Sequence, residues 1–132
     1  MNELKYAVIC VDDDPYILQM LGFQLGKIIN HKCTLLEYFT DPAKALEGIG
    51  ELIEENIDVI FVIVDYQMPK ITGAQLIRSI KEKYPSLKCV MLSGQANQVS
   101  VDELNADNLL ETFISKPWDE EALFDAIRPM IK

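Results

Sequence analysis

The run Val59-Ile60-Phe61-Val62-Ile63-Val64, closed by Asp65 and followed by Tyr66-Gln67-Met68-Pro69, constrains the fold more than any other stretch of the chain. Its consecutive apolar residues, mostly β-branched, do not alternate as a half-exposed strand would, so both faces are expected to be buried in a parallel sheet. A carboxylate then ends the run. In open α/β sheets ligands collect beyond the carboxyl ends of strands, which puts Asp65 where chemistry is expected. Taken alone, an Asp in this position also serves simply to cap a turn. Pro69 bars the following loop from continuing as a regular strand.

Other runs repeat the pattern. Tyr6-Ala7-Val8-Ile9-Cys10-Val11 is apolar and stops at Asp12-Asp13-Asp14, before Pro15. From Pro15 to about Ile29, Ile17, Leu18, Leu21, Leu25 and Ile28 recur at helical spacing, with Asp14 as N-cap and Pro15 in the first helical position. Thr34 to Phe39 is rich in β-formers. Asp41-Pro42 opens a second helix with Ala45, Leu46, Ile49, Leu52 and Ile53 inward, weakened at Gly48 and Gly50. The central strand, near Ile57 to Val64, is followed by a helix from about Thr72 to Tyr84 with Leu76, Ile77 and Ile80 inward. Lys88 to Leu92 is a strand that leads into Ser93-Gly94. Asn97 to Leu110 carries only a loose apolar pattern and is expected to be a marginal helix. Thr112 to Ser115 forms a last short strand before Lys116-Pro117, and Asp119 caps a helix from Glu120 to about Arg128, frayed by Pro129.

Strands alternate with helices throughout, and most connections are short. That pattern implies a single doubly wound α/β domain, with a parallel sheet, right-handed crossovers and helices on both faces. A chain of 132 residues fits one such domain. With 21 acidic against 12 basic residues the formal charge is -9, which repels phosphate backbones and argues against direct nucleic-acid binding. No run approaches the roughly 20 apolar residues of a membrane span, and Met1-Asn2-Glu3-Leu4-Lys5 is no signal peptide, so a cytoplasmic location without membrane contact is expected. Cys10, Cys33 and Cys89 lack the paired spacing of a zinc site and are expected to be buried thiols.

Parallel strands share a direction, so the acids and the other polar strand ends fall along one edge. That edge carries Asp12 and Asp13, Asp65, Ser93 and Lys116. Two like charges 4 Å apart repel by roughly 4 kcal/mol at an effective dielectric near 20, so clustered carboxylates call for a cation. Lys116 supplies one positive charge and a divalent metal would supply more. Oxygen ligands without histidine favour magnesium over zinc.

In order and spacing, Val11-Asp12-Asp13-Asp14-Pro15, Asp65-Tyr66-Gln67-Met68-Pro69, Ser93-Gly94 and Lys116-Pro117 resemble the signature of receiver domains of two-component response regulators, of the chemotaxis-regulator type. The resemblance covers essentially the whole chain, 1–132, as one receiver domain with no effector domain following. It implies a flavodoxin-like (βα)5 fold with strand order 2-1-3-4-5. It also implies transfer of a phosphoryl group from the phosphohistidine of a histidine kinase or phosphotransfer protein onto Asp65. Asp13, Asp65 and the backbone carbonyl of Gln67 would bind Mg²⁺ directly, with Asp12 acting through a bound water. Lys116 would pair with the phosphoryl oxygens and Ser93 would hydrogen-bond one of them. Phe113 matches the family's switch aromatic, which turns inward behind the phosphate and relays the change to the face of the fourth helix, fifth strand and fifth helix. Gln67 and Gln95 match positions that modulate self-dephosphorylation, and a cis Lys116-Pro117 bond is typical of the family. Such a domain promotes only its own phosphorylation and dephosphorylation, and acts as a monomer or as a phosphorylation-dependent dimer.

The sequence departs from the pattern in having Ser93 for the commoner Thr and in lacking the usual Gly-Ala step before the fifth strand. Two other readings use the same residues. A haloacid-dehalogenase-type phosphohydrolase would employ Asp12 and Asp14 as nucleophile and acid/base, but would leave Asp65 without a role and would need acids beyond Lys116. A receiver-like module that is never phosphorylated usually loses one of the acids or the lysine, and all are present here.

Overall fold

The computed structural model describes residues 3–94 and 97–132. Strands and helices alternate as β1 (Tyr6–Val11), α1 (Pro15–Leu25), β2 (Thr34–Phe39), α2 (Pro42–Glu54), β3 (Asp58–Asp65), α3 (Gly73–Lys83), β4 (Cys89–Ser93), α4 (Gln98–Ala106), β5 (Thr112–Ser115) and α5 (Glu120–Ile127), with a short 3-10 turn at Arg128–Met130. The strands form one parallel sheet in the order β2-β1-β3-β4-β5. This is the doubly wound sheet that the alternation of runs implied, in the flavodoxin-like (βα)5 strand order that the resemblance implied.

β3 lies at the centre, between β1 and β4, and its apolar residues from Val59 to Val64 are buried on both sides. Val59, Val62 and Val64 pack with Ala45, Ile49 and Leu52 of α2, Leu76, Ile77 and Ile80 of α3, and Val101 and Leu104 of α4. Ile60, Phe61 and Ile63 face the other layer, where Leu18, Leu21 and Leu25 of α1 meet Leu123 and Ile127 of α5. A register shift against β1 at Ala7/Val8 explains why the neighbours Ile60 and Phe61 fall on the same side. Each of the buried Val, Leu, Ile and Phe side chains among these contributes on the order of 1.5–3 kcal/mol, so the C-terminal end of β3 is held firmly from both layers.

Helix starts are fixed by side chains next to the strand ends. Asp14 accepts from the Tyr16 N–H at 2.9 Å, Asp41 from Ala43 at 2.9 Å and Asp119 from Ala122 at 2.8 Å. Thr72 and Gln75 form a reciprocal capping box at 3.1 and 2.8 Å.

Several boundaries differ from expectation. α1 stops at Leu25 rather than near Ile29, because Gly26 closes the helix by donating to the Gly22 carbonyl and the chain then turns, although Ile29 is still buried. α4 occupies only Gln98–Ala106 of the expected 97–110 segment. Its first residue has no side-chain cap, and Asn108, with φ of 58°, turns the chain away beyond its end. Ile53 is exposed on α2 rather than inward. Cys33 is half-buried, in the turn leading into β2, whereas Cys10 and Cys89 are buried as expected. β4 starts at Cys89 rather than Lys88 and ends at Ser93, the expected strand end. Among the described residues no helix is long and apolar enough to cross a membrane.

Candidate functional site

β1 and β3 are neighbours, so their C-terminal ends bring the predicted acids together. One carboxylate oxygen from each of Asp12, Asp13 and Asp65 lies within 4.8 Å of the others. Asp12 and Asp65 are almost fully buried, 1% and 3% exposed, while Asp13 faces solvent. Lys116, brought in after β5, pairs its ammonium with Asp65 Oδ1. Three carboxyl groups thus face one ammonium at the ends of the strands.

The two oxygens of Asp12 are treated differently. Oδ1 accepts the Asp14 N–H at 2.9 Å, whereas Oδ2 is buried and has no hydrogen-bond partner among the described residues. Burial is the main reason the Asp12 carboxyl is pushed up to about 7, reinforced by the charges of Asp65 and Asp13 and opposed by the Asp14 N–H and Lys116. Burial likewise raises Asp65 above the usual carboxylate range, against the pull of Lys116 and the Gln67 N–H. An orphaned buried carboxylate oxygen, in a cluster of oxygen donors carrying excess negative charge, fits a hard divalent cation such as Mg²⁺.

The remaining strand ends complete the edge. Ser93 is buried at the end of β4, and its carbonyl accepts the Lys116 N–H at 2.8 Å, so the backbone itself ties Lys116 to the site. The Lys116–Pro117 peptide bond is cis. Gln67 is exposed on the loop after β3. Gln95 lies outside the described residues. Phe113 sits on β5 opposite Met91, half-buried against the layer that contains α4. Asp14 is not in the acidic cluster: its carboxylate is spent on the start of α1, which leaves the hydrolase reading without its acid/base.

Two contributors escaped the sequence. Gly73 opens α3 directly beneath the site, where a Cβ would collide with the Asp65 backbone carbonyl, and its N–H donates to the Tyr66 carbonyl at 2.7 Å. Tyr66 reaches the other way, its hydroxyl accepting from Ser100 of α4 at 3.2 Å. A glycine at the first turn of a helix, just after a site loop, was the available signal for the former; the latter has no local signature.

An acidic pocket facing a lysine across the strand ends of a (βα)5 sheet is the architecture of a phosphoacceptor signalling domain. Residues 8–128 match the model of the response regulator receiver domain, and the chain belongs to that family. Receiver domains accept phosphoryl groups in two-component signalling and bind Mg²⁺ at such a pocket. The chain is 29% identical over 128 residues to the transcriptional regulatory protein GlrR of Escherichia coli, covering 96% of this chain and 26% of that protein. It is 32% identical over 133 residues to the transcriptional regulatory protein DegU of Brevibacillus brevis, covering 97% of this chain and 51% of that one. The chain therefore spans only about a quarter to a half of these curated relatives. Among solved structures, the signal receiver domain of an HD domain-containing protein from Pseudomonas fluorescens superposes with a TM-score of 0.80 at 24% identity, covering 96% of this chain and 87% of that one. An uncharacterized protein from Neptuniibacter caesariensis gives 0.81 at 27% identity, covering 98% and 89%.

Proposed function

We propose that residues 1–132 form one receiver unit that works as a phosphorylation-dependent switch, taking a phosphoryl group onto Asp65 from the phosphohistidine of a histidine kinase or phosphotransfer protein. The observation that carries this reading is the pairing of the buried Asp65 carboxylate with Lys116 beside the unpartnered Asp12 Oδ2. Asp65 sits at the end of a strand buried on both faces, so its carboxylate is positioned before the donor arrives.

In the transfer, an Asp65 oxygen forms a bond to phosphorus while the phosphorus–nitrogen bond of the donor breaks; the imidazole leaves with that electron pair and takes up a proton. Little covalent work falls to the protein, and charge neutralisation with in-line positioning dominates. Lys116 exchanges part of its pairing with Asp65 for the phosphoryl oxygens, and the Ser93 hydroxyl donates to one of them. Asp13, Asp65 and the Gln67 carbonyl would hold Mg²⁺, with Asp12 acting through a bound water; when bound, the ion supplies the positive charge that the pocket lacks. Gln67 and Gln95, two residues beyond Asp65 and Ser93 in sequence, match the positions that modulate the later hydrolysis of the acyl phosphate.

The switch then runs through Ser93 and Phe113 to the face of α4, β5 and α5. A full swing from 1:99 to 99:1 requires roughly 5.5 kcal/mol of differential interaction, much of which charge-assisted hydrogen bonds to phosphate can supply. For the donor, Tyr16 and Phe23 offer an apolar ledge on α1, 78% and 60% exposed, that begins next to Asp13.

Incubation with Mg²⁺ and acetyl phosphate or phosphoramidate tests the reading. The expected result is one added phosphoryl group by intact mass, labile to base and absent in Asp65→Asn. A stable modification on Asp12, or none at all, overturns it.

A further inference from the structure

β2 is an edge strand, hydrogen-bonded to β1 on one side only. Beside it the chain forms a groove of about 530 Å³ between β2 and α2. Its floor is apolar, with Leu35 and Phe39 from alternate positions of β2, Leu52 from α2 and Ile57. Gly48 makes this shape possible, because a Cβ there would collide with the Phe39 ring, which packs directly on the helix.

The rim has the opposite character. Glu37 comes from the strand, and Glu47, Glu51 and Glu55 follow one another at successive turns along α2 and its cap. Like charges spaced i, i+4 destabilise a helix. Among the described residues none of these four glutamates takes part in an ion pair. Lys44 also lines the groove, three residues before Glu47, and offsets one of the four charges, so the rim keeps an excess of negative charge.

An open edge strand recognises an extended peptide through its free N–H and C=O groups, and pockets beside it read every second side chain. Here groove-facing lysines or arginines suit both layers: their methylene stems cover Leu35 and Leu52 while their charged heads reach the glutamates. Side chains on the other face of such a strand meet Leu36 and Tyr38, which lie on the α1 side of β2. That surface is apolar as well, and Tyr38 is exposed. A second copy of this chain, with a net charge of -9, is repelled from such a rim. We propose that the β2/α2 edge is a docking site for an extended segment of a partner protein, in which lysine or arginine alternates with β-branched residues, added to the sheet as a sixth strand.

The test uses the whole chain and a fluorescein-labelled peptide, Lys-Val-Lys-Val-Lys-Val-Lys with blocked ends, followed by anisotropy and by amide chemical shifts. Saturable binding is expected, with the largest shifts at Leu35, Glu37, Phe39, Glu47 and Glu51. The variant Glu51→Lys should weaken binding at least tenfold yet melt no lower than the parent, because it turns the Glu47/Glu51 and Glu51/Glu55 like-charge pairs into opposite-charge pairs; loss of binding is then not loss of fold. Replacing each valine of the peptide by serine should also weaken binding at least tenfold. Equal binding of the serine peptide, shifts centred on Asp12, Asp13 and Asp65 or on α1, or dimerisation of the protein through β2 without peptide each overturn the proposal.

Discussion

The hydroxyl of Ser100 on α4 donates at 3.2 Å to the hydroxyl of Tyr66, the residue that directly follows Asp65. The backbone of Tyr66 is held on both sides, its N–H donating to the Leu92 carbonyl at 3.0 Å and its carbonyl accepting the Gly73 N–H at 2.7 Å. The side chain thus spans from the site loop to a helix with weak start signals. Tyr66→Phe and Ser100→Ala should each lower stability by about 1 kcal/mol, the usual net value of such a bond. Because the two share one interaction, the double variant should lose little more than either single one in urea unfolding. Amides of α4 should also exchange faster in each variant.

Removal of divalent cations exposes the cost of burying Asp12. Its folded-state value of about 7 lies above the ordinary 3.8, so the proton stabilises the folded form. That stability is fully present below the unfolded value and is lost as pH rises through about 7. The metal-free protein should therefore melt at lower temperature at pH 8 than at pH 5, and Asp12→Asn should flatten that decline and melt higher than the parent at pH 8. Magnesium should restore the loss in the parent, by about 2.7 kcal/mol at a concentration one hundred times its Kd. Binding should release protons near neutral pH, which calorimetry in buffers of different ionisation enthalpy measures.

Gly73→Ala inserts a methyl group against the Asp65 backbone carbonyl. Neither partner is the far end of a flexible side chain, so the strain must move β3 or the start of α3. A cost of about 1–3 kcal/mol is expected by chemical denaturation. Labelling of Asp65 by acetyl phosphate should slow at temperatures where the variant is fully folded, because the carboxylate is displaced from Lys116.

Much of this was legible along the chain. The apolar run of β3 required a strand buried on both faces, and a strand of that kind requires helices in two layers, which the periodicity of α1, α2, α3 and α5 supplied. Asp41 and Asp119, each two or three residues before the N–H it accepts, announced helix starts directly. Where local signals were weak, boundaries moved. α4 has no cap and a loose apolar pattern, and its limits are set by Val101 and Leu104 packing on the sheet rather than by its own sequence. Ile53 satisfied the helical spacing but is exposed in the last turn of α2, and Cys33 sits in a turn where an apolar neighbourhood in sequence does not enclose it.

The chain's own residues determined which groups stand at each strand end, since acids, a serine and a lysine following apolar runs need only direction and order to be placed on one edge. They could not determine how those groups meet. That Asp12 presents one satisfied and one unpartnered oxygen, that Lys116 selects Asp65 Oδ1, and that Gly73 leaves room beneath Asp65 all depend on parallel strands from distant parts of the chain lying side by side. Tertiary structure decided them because desolvation and pairing act through space: a carboxylate at the end of a strand is an ordinary turn residue until the neighbouring strands bury it beside two others.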